Sequence, residues 1–294
     1  MITSLVLLAA AQPDQLAFIA RFYKPGKAKS SYHLYLSALD GTRRRELAFS
    51  KAPWRVSWLG KDKLAVLSDD GIYVGSPSNW HPKLVPSTKD LTFVDSRDRT
   101  NPPGVPQLVQ GDEVASMTIN PKTLAVESYS EKTGPKQLEP GEDEKYSVTE
   151  PNGGQLSLQV GEPIVYPGSD KSDAAEFLFR RGWESPRRGQ MEPHRLFLLA
   201  SDHNSTNGDI NALLLLEKSK KPRFIFSNAN GFDFWEARST FAYCTPRDTS
   251  PLNPKDKNSK LVWTSELHVG DWQKGTDRIL ISGAVHSISV AIRP

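Results

Sequence analysis

The chain has 294 residues, of which 37% are hydrophobic, 24% charged and 9% aromatic, too apolar a mixture for a disordered polymer and too polar for a polytopic membrane protein. Its 22 prolines and 20 glycines are scattered without a period, which excludes collagen and disfavours helical bundles, because each interrupts a helix. A net charge of +3, from 37 basic and 34 acidic residues, leaves no basic excess for sequence-independent nucleic-acid binding, so no nucleic-acid partner is expected.

At the start of the chain, Ser4–Ala11 is a short apolar run with small residues at Ala9 and Ala11 and Gln12-Pro13 behind it. That is the form of the end of an export signal, although no Lys or Arg precedes it; a first buried strand is the alternative. Export to the periplasm or outside the cell is the preferred reading, and a cytoplasmic protein the alternative. Residues 1–11 are set aside as signal, and 12–294 are expected to form one domain. No other segment has the roughly 20 apolar residues that cross a bilayer as a helix, so no transmembrane segment is expected. Cys244 is the only cysteine, which rules out an intrachain disulfide and Cys-based clusters within the chain.

Strand signals then recur from end to end: Leu16–Phe22, His33–Leu39, Val56–Trp58, Lys63–Ser68, Ile72–Gly75, Leu91–Asp95, Thr123–Ser128, Glu176–Arg180, Arg195–Ala200, Asn211–Glu217, Phe224–Ser227, Thr240–Thr245, Lys260–Val269 and Arg278–Ser282. Between them lie Asp40-Gly41, Asp70-Gly71, Asn152-Gly153, Asn207-Gly208 and Asn230-Gly231, pairs that tolerate positive φ and suit hairpin turns. Consecutive strands are expected to pair antiparallel.

Two units repeat. Trp58-Leu-Gly-Lys-Asp-Lys-Leu-Ala65 matches Trp235-Glu-Ala-Arg-Ser-Thr-Phe-Ala242 without a gap, and Gln12–Ala20 is a weaker copy. Leu91–Asp95 and Ala175–Arg180 resemble the second strand of that unit. An alternating strand, a turn and a basic strand recur at His33–Leu47 and Glu266–Leu280. Joined, the units make a four-stranded antiparallel module of roughly 40 to 50 residues, the size of a propeller blade. The modules fall at Leu16–Phe49, Trp54–Val85, Leu91–Leu138, Tyr146–Pro167, Ala174–Ser227 and Phe232–Ser282. Six blades is the preferred count and five the alternative. The alternating strand Val285–Ile292 has no hairpin partner after it and is expected to complete the first blade, protecting its edge.

These motifs carry a family resemblance. Gln12-Pro13-Asp14-Gln15-Leu16-Ala17-Phe18, Leu34-Tyr35-Leu36, Asp40-Gly41 and Arg45-Glu46-Leu47, echoed at Trp235–Thr245 and Glu266–Leu280, resemble the WD40-like propeller repeats of the TolB family. The resemblance covers the first 85 residues and the last 65. Across Ser96–Asp173 it is thin, and no Pro-Asp-Gly turn is intact. It implies an all-β propeller and no particular activity, because such repeats serve binding proteins and enzyme accessory domains alike.

No linear hydrolase, metalloprotease or nucleotide-binding motif occurs, and the six histidines have no short ligand spacing, so no cofactor or metal is expected. Asp202–Asp209 is rich in oxygen ligands but reads as a polar hairpin loop. Arg180, Arg181, Trp183, Arg187 and Arg188 combine guanidinium forks with an aromatic face, suited to a carboxylate, phosphate or ring. In the repeat register their loop, like Tyr23–Ser31, Ser96–Pro106 and Pro246–Ser259, joins the second and third strands of a blade. Four long loops on one face make that face the expected site for another protein or an anionic ligand. The reading is an exported, non-enzymatic binding scaffold. A propeller enzyme, a hydrolase or lyase of small molecules or glycans with its site at a central channel, is the alternative.

Overall fold

The computed structural model describes residues 15–24, 31–94, 104–111, 113–128, 145–149, 155–159, 176–181, 195–204, 208–217, 223–235 and 239–294. Every regular element among them is a strand. The first sheet begins with β1 (Leu16–Phe22), β2 (His33–Ser37) and β3 (Arg45–Leu47), and the second is β4 (Arg55–Leu59), β5 (Lys63–Ser68), β6 (Gly71–Ser76) and β7 (Asn79–Leu84). The third holds β8 (Leu91–Phe93), β9 (Leu108–Gln110), β10 (Glu113–Ile119) and β11 (Val126–Ser128). A two-stranded fourth unit pairs β12 (Lys145–Thr149) with β13 (Gln155–Gln159). The fifth sheet is β14 (Glu176–Arg181), β15 (Arg195–Asn204), β16 (Gly208–Glu217) and β17 (Arg223–Ala229). The sixth begins with β18 (Gly231–Trp235) and β19 (Thr240–Cys244); a separate hairpin of β20 (Asp248–Pro251) and β21 (Leu261–Thr264) intervenes before β22 (Leu267–Asp271) and β23 (Thr276–Ile281). Finally β24 (Val285–Ile292) pairs antiparallel with β1, giving the first sheet the order β24-β1-β2-β3.

The architecture is thus all-β, built of four-stranded antiparallel sheets, and consistent with a propeller-like fold. The closing strand pairs with β1, as expected, and the module boundaries read from the sequence fall within a few residues of those of the four-stranded sheets, save at the end of the third, whereas only two strands of the fourth module are described. The sheets stack face to face. Residues of β1 show why its sequence is a continuous apolar run rather than an alternation. Leu16, Phe18 and Ala20 pack with Ala242, Leu267 and Val269 of the sixth sheet, while Ala17 and Ile19 pack with Val56, Trp58 and Leu64 of the second. Further layers join the second sheet to the third, through Ala65, Ile72 and Leu108, and the fifth to the sixth, through Leu213, Phe226 and Phe241. The stack therefore runs five, six, one, two, three, with the first and last described strands paired in its middle.

Local sequence explains the details. Pro82 cannot donate to a ladder, and β7 is an outer edge strand with mostly exposed residues. Gly270 in β22 sits against the Phe241 ring and the Thr276 carbonyl, where a Cβ would collide with both.

Four readings need correction. Asn230-Gly231 is no hairpin turn: it passes the chain from β17 in the fifth sheet to β18 in the sixth. Lys260–Val269 is two strands, because Ser265 breaks out of the hairpin and its amide donates to the Val285 carbonyl at 3.0 Å. Leu91–Phe93 and Glu176–Arg181 are first strands of their sheets rather than second. The repeated Trp positions also differ in register: Trp58 lies opposite Leu64, whereas Trp235 lies opposite Thr240 and Phe234 opposite Phe241. A longer β18–β19 connection absorbs the slip, so Phe234 holds the pairing position of Trp58. Trp58 is 2% exposed, as expected; the Trp235 side chain lies outside the described residues.

Candidate ligand-recognition site

Strands in each sheet alternate in direction, so connections between first and second strands emerge at one end of the stack and those between second and third at the other. The β1–β2 and β19–β22 connections share the second kind of end with the start of β24 and the approach to β4. There the chain collects aromatic and guanidinium groups from four distant segments.

Tyr32 is the centre. Its hydroxyl is hydrogen-bonded to His286 Nδ1 at 2.8 Å, across 254 positions of chain. The Arg21 guanidinium lies 4.2 Å from the Tyr32 ring centroid and 5.8 Å from that of Tyr23. Arg21 Nη1 also donates to the Tyr23 hydroxyl at 3.3 Å. Trp54 stands 6.0 Å from Tyr32, ring to ring, and its Nε1 donates to Asp69 at 2.5 Å. On the other flank Arg247 covers the Trp263 ring at 4.1 Å. Both indoles are 42% exposed, which is unusual for so large an apolar group. These positions follow from strand ends: Arg21 and Tyr23 close β1, Tyr32 precedes β2, His286 opens β24, and Arg247 follows β19.

The electrostatics are cationic. Burial first, then the charges of Arg21 and Arg247, press the His286 pKa down to about 4, so the imidazole is neutral at pH 7. Burial pushes the Tyr32 hydroxyl above its ordinary value, and Arg21 and Arg247 oppose the rise without cancelling it. Arg21 Nε is enclosed with no hydrogen-bond acceptor, and among the described residues no carboxylate forms an ion pair with Arg21. Such an arrangement can hold an anionic group and stack a ring; it leaves His286 and Tyr32 tied to each other.

A second polar cluster lies on the sixth sheet. Tyr243 donates to Asp277 Oδ2 at 2.7 Å and stacks on His268 with ring centroids 4.5 Å apart. His268 joins Asp277 through Nδ1 at 3.1 Å and Glu266 through Nε2 at 3.3 Å. Burial opposes the charge on His268, but the two carboxylates outweigh it and raise its pKa. Burial and Asp277 push the Tyr243 hydroxyl far up. This network clamps β19, β22 and β23 together.

The site residues expected from the sequence fall only partly within the described residues. Arg180 and Arg181 end β14, and Arg195 opens β15, so their connection joins first and second strands, at the end opposite Tyr32. Their side chains, and Trp183, Arg187 and Arg188 altogether, lie outside the described residues. Residues 95–107 also join first and second strands, β8 and β9. Among the described strands, β1–β2 and β19–β22 turn at the Tyr32 end, whereas β8–β9 and β14–β15 turn at the other. The Tyr32 cluster was not foreseen, although two of the loops that frame it were. Asn204 pairs with Gly208 in a hairpin, as read. Among the described residues no group of three or more His, Cys, Asp or Glu is placed to hold a metal, and no helix is long and apolar enough to cross a membrane. Cys244 is buried, which pushes its thiol pKa up to about 12.

Comparison with protein-family models gives no match, and comparison with curated proteins gives none. Solved structures similar to the chain include a protein from Lactobacillus plantarum, at 10% identity and a TM-score of 0.42 over 95% of this chain and 99% of that one. Another is a protein of unknown function from Bacteroides caccae, at 12% identity and a TM-score of 0.36 over 96% of this chain and 99% of that one. The tricorn protease aligns at 13% identity and a TM-score of 0.25, over 88% of this chain and 29% of its own.

Proposed function

We propose that the chain is an exported, TolB-like propeller of six blades that works by binding, with its working face at the Tyr32 end. The β24–β1 pairing supports the reading, since joining the first and last strands in one sheet is how such a ring would close, and β12–β13 follows the third sheet in chain order, where a further blade would fall. The observation that carries the reading is the Tyr32–His286 cluster, in which half-exposed indoles and guanidinium groups from four segments meet on one end of the stack. Groups of this kind supply contact area and charge to a partner. Tyr32 and His286 are engaged with each other, an arrangement suited to recognition.

Masking each end in turn tests the reading. A compact folded domain inserted after Ala52, on the approach to β4, covers the Tyr32 end; the same insertion after Lys122, between β10 and β11, covers the other. Both positions are exposed and lie outside the strands, where insertion is tolerated. The first variant should fail to restore a strain lacking the protein, and the second should restore it, both having native thermal transitions. The reverse pattern would move the working face to the opposite end.

A further inference from the structure

We infer that the Tyr32 end docks on an anionic lipid surface through the β20–β21 hairpin, with Leu261 and Trp263 entering the interface and Lys255, Lys257 and Lys260 meeting the headgroups. The inference rests on the proposed working face and names its partner. Three observations support it. First, the hairpin has an apolar face that the fold does not use. Buried Val262 turns one side inward, where β21 packs against β24. Its neighbours Leu261 and Trp263 therefore point outward together, 61% and 42% exposed, and exposed Pro251 and Thr249 stand opposite them across the ladder. Large apolar groups left together in water mark a surface that something else covers. Second, the charge beside this face is positive. Residues 252–260 carry three lysines against one aspartate, and Asn253–Asn258 are exposed throughout. Asp256 Oδ1 accepts the Asn258 amide, and at the hairpin base Asp248 Oδ1 accepts the Thr249 amide. Among the described residues none of the three lysines forms an ion pair. A tryptophan with lysines beside it suits a membrane surface, the ring at headgroup depth and the ammonium groups among the phosphates. Third, the tip is ordered by its own hydrogen bonds. The amides of Leu252, Asn253, Lys255, Asp256, Asn258 and Ser259 all donate within it, so the tip can enter a less polar medium without leaving them unpaired.

Co-sedimentation of the purified whole chain with vesicles tests the inference. Vesicles of phosphatidylglycerol and phosphatidylcholine in equal parts should bind the protein about tenfold more tightly at low salt than vesicles of phosphatidylcholine alone, and added salt should close most of that gap. Lys255, Lys257 and Lys260 replaced together by Gln should abolish the preference for anionic vesicles. Leu261→Ser combined with Trp263→Ser should weaken binding about tenfold on the anionic vesicles while the preference remains. All five residues are exposed, so an unchanged thermal midpoint certifies each fold; Leu261→Ser alone, at the more exposed position, serves if the double variant is unstable. Glycerol phosphate, a soluble headgroup, should not displace the protein. Displacement by it would replace the surface with a pocket for one phosphate and overturn the inference, as would equal binding to the two vesicle types or binding indifferent to the substitutions. Absence of vesicle binding altogether would also overturn it and assign the apolar face to a protein partner. Failure here together with success of the Ala52 masking test leaves the working face and removes only the lipid partner; the opposite pair of results removes the face and keeps the hairpin as a membrane contact.

Discussion

The Trp58 indole donates from Nε1 to the Ala291 carbonyl at 3.2 Å, across 233 positions of chain. Trp58 belongs to the second sheet and Ala291 to the strand that completes the first, so this bond crosses the layer between those two sheets. The surrounding layer of Ile19, Leu34, Leu64 and Val66 is fully buried. Trp58→Ala should cost ~3–5 kcal/mol, as for other large core aromatics. Trp58→Phe should cost less, losing mainly the Ala291 bond. Urea unfolding measures both, and an unchanged midpoint in the alanine variant would remove Trp58 from the core.

Asp233 performs a related task at the other side of β24. The residue is 3% exposed; its Oδ2 accepts the Ile292 amide at 2.7 Å, and its Oδ1 accepts the Phe234 amide at 3.0 Å. Asp233→Ala leaves a buried amide without that acceptor, a loss of ~1–3 kcal/mol. Hydrogen exchange should accelerate at Ile292 more than at Val285, which lies at the far end of the strand. Uniform acceleration along β24 would mean that Asp233 supports the sheet as a whole rather than its end.

Much of this framework was legible because it is local. The runs at Leu16–Phe22, Lys63–Ser68 and Val285–Ile292 appear as strands with unchanged bounds, since apolar runs between turn residues leave few alternatives. Register was less legible: the gapless match of Trp58 to Trp235 conceals a one-residue slip, which only ladder pairing reveals. The strand order within a sheet was also hidden at Leu91 and Glu176, and with it the end to which each loop belongs. The Tyr32 cluster was illegible for a different reason. Its members come from four segments that the β24–β1 pairing and the packing of β4 and β21 against β24 bring together, and neither His286 nor Arg21 carries a linear motif.

The export reading makes a chemical prediction. Gln15 is tied at both backbone groups, its amide donating to Ser37 O at 3.0 Å and its carbonyl accepting from Arg293 N at 2.7 Å. A cut just before Gln12 would leave that anchor intact. Mass spectrometry of protein from its own host should find Gln12 as the first residue. Soluble cytosolic protein retaining Met1 would replace export with an intracellular protein.

The two best-connected histidines should give stability opposite dependences on pH. Burial and the flanking Arg21 and Arg247 lower His286 from 6.5 to about 4. Between those values the unfolded chain takes up a proton that the folded one refuses, so its contribution is complete above 6.5 and lost as pH falls towards 4. His268 is displaced upward: burial lowers it, but Asp277 and Glu266 prevail. Its contribution is complete below 6.5 and is lost as pH rises through the elevated folded value. His286→Gln should therefore differ most from the wild type near neutral pH, with the gap closing on acidification. His268→Gln should differ most near pH 5 on this argument, with the gap closing as the solution becomes alkaline. Urea midpoints measured for the three proteins across about pH 4 to 9 test the pair together. Gaps that move in the same direction with pH would show that one of the two histidines does not have the electrostatic surroundings described.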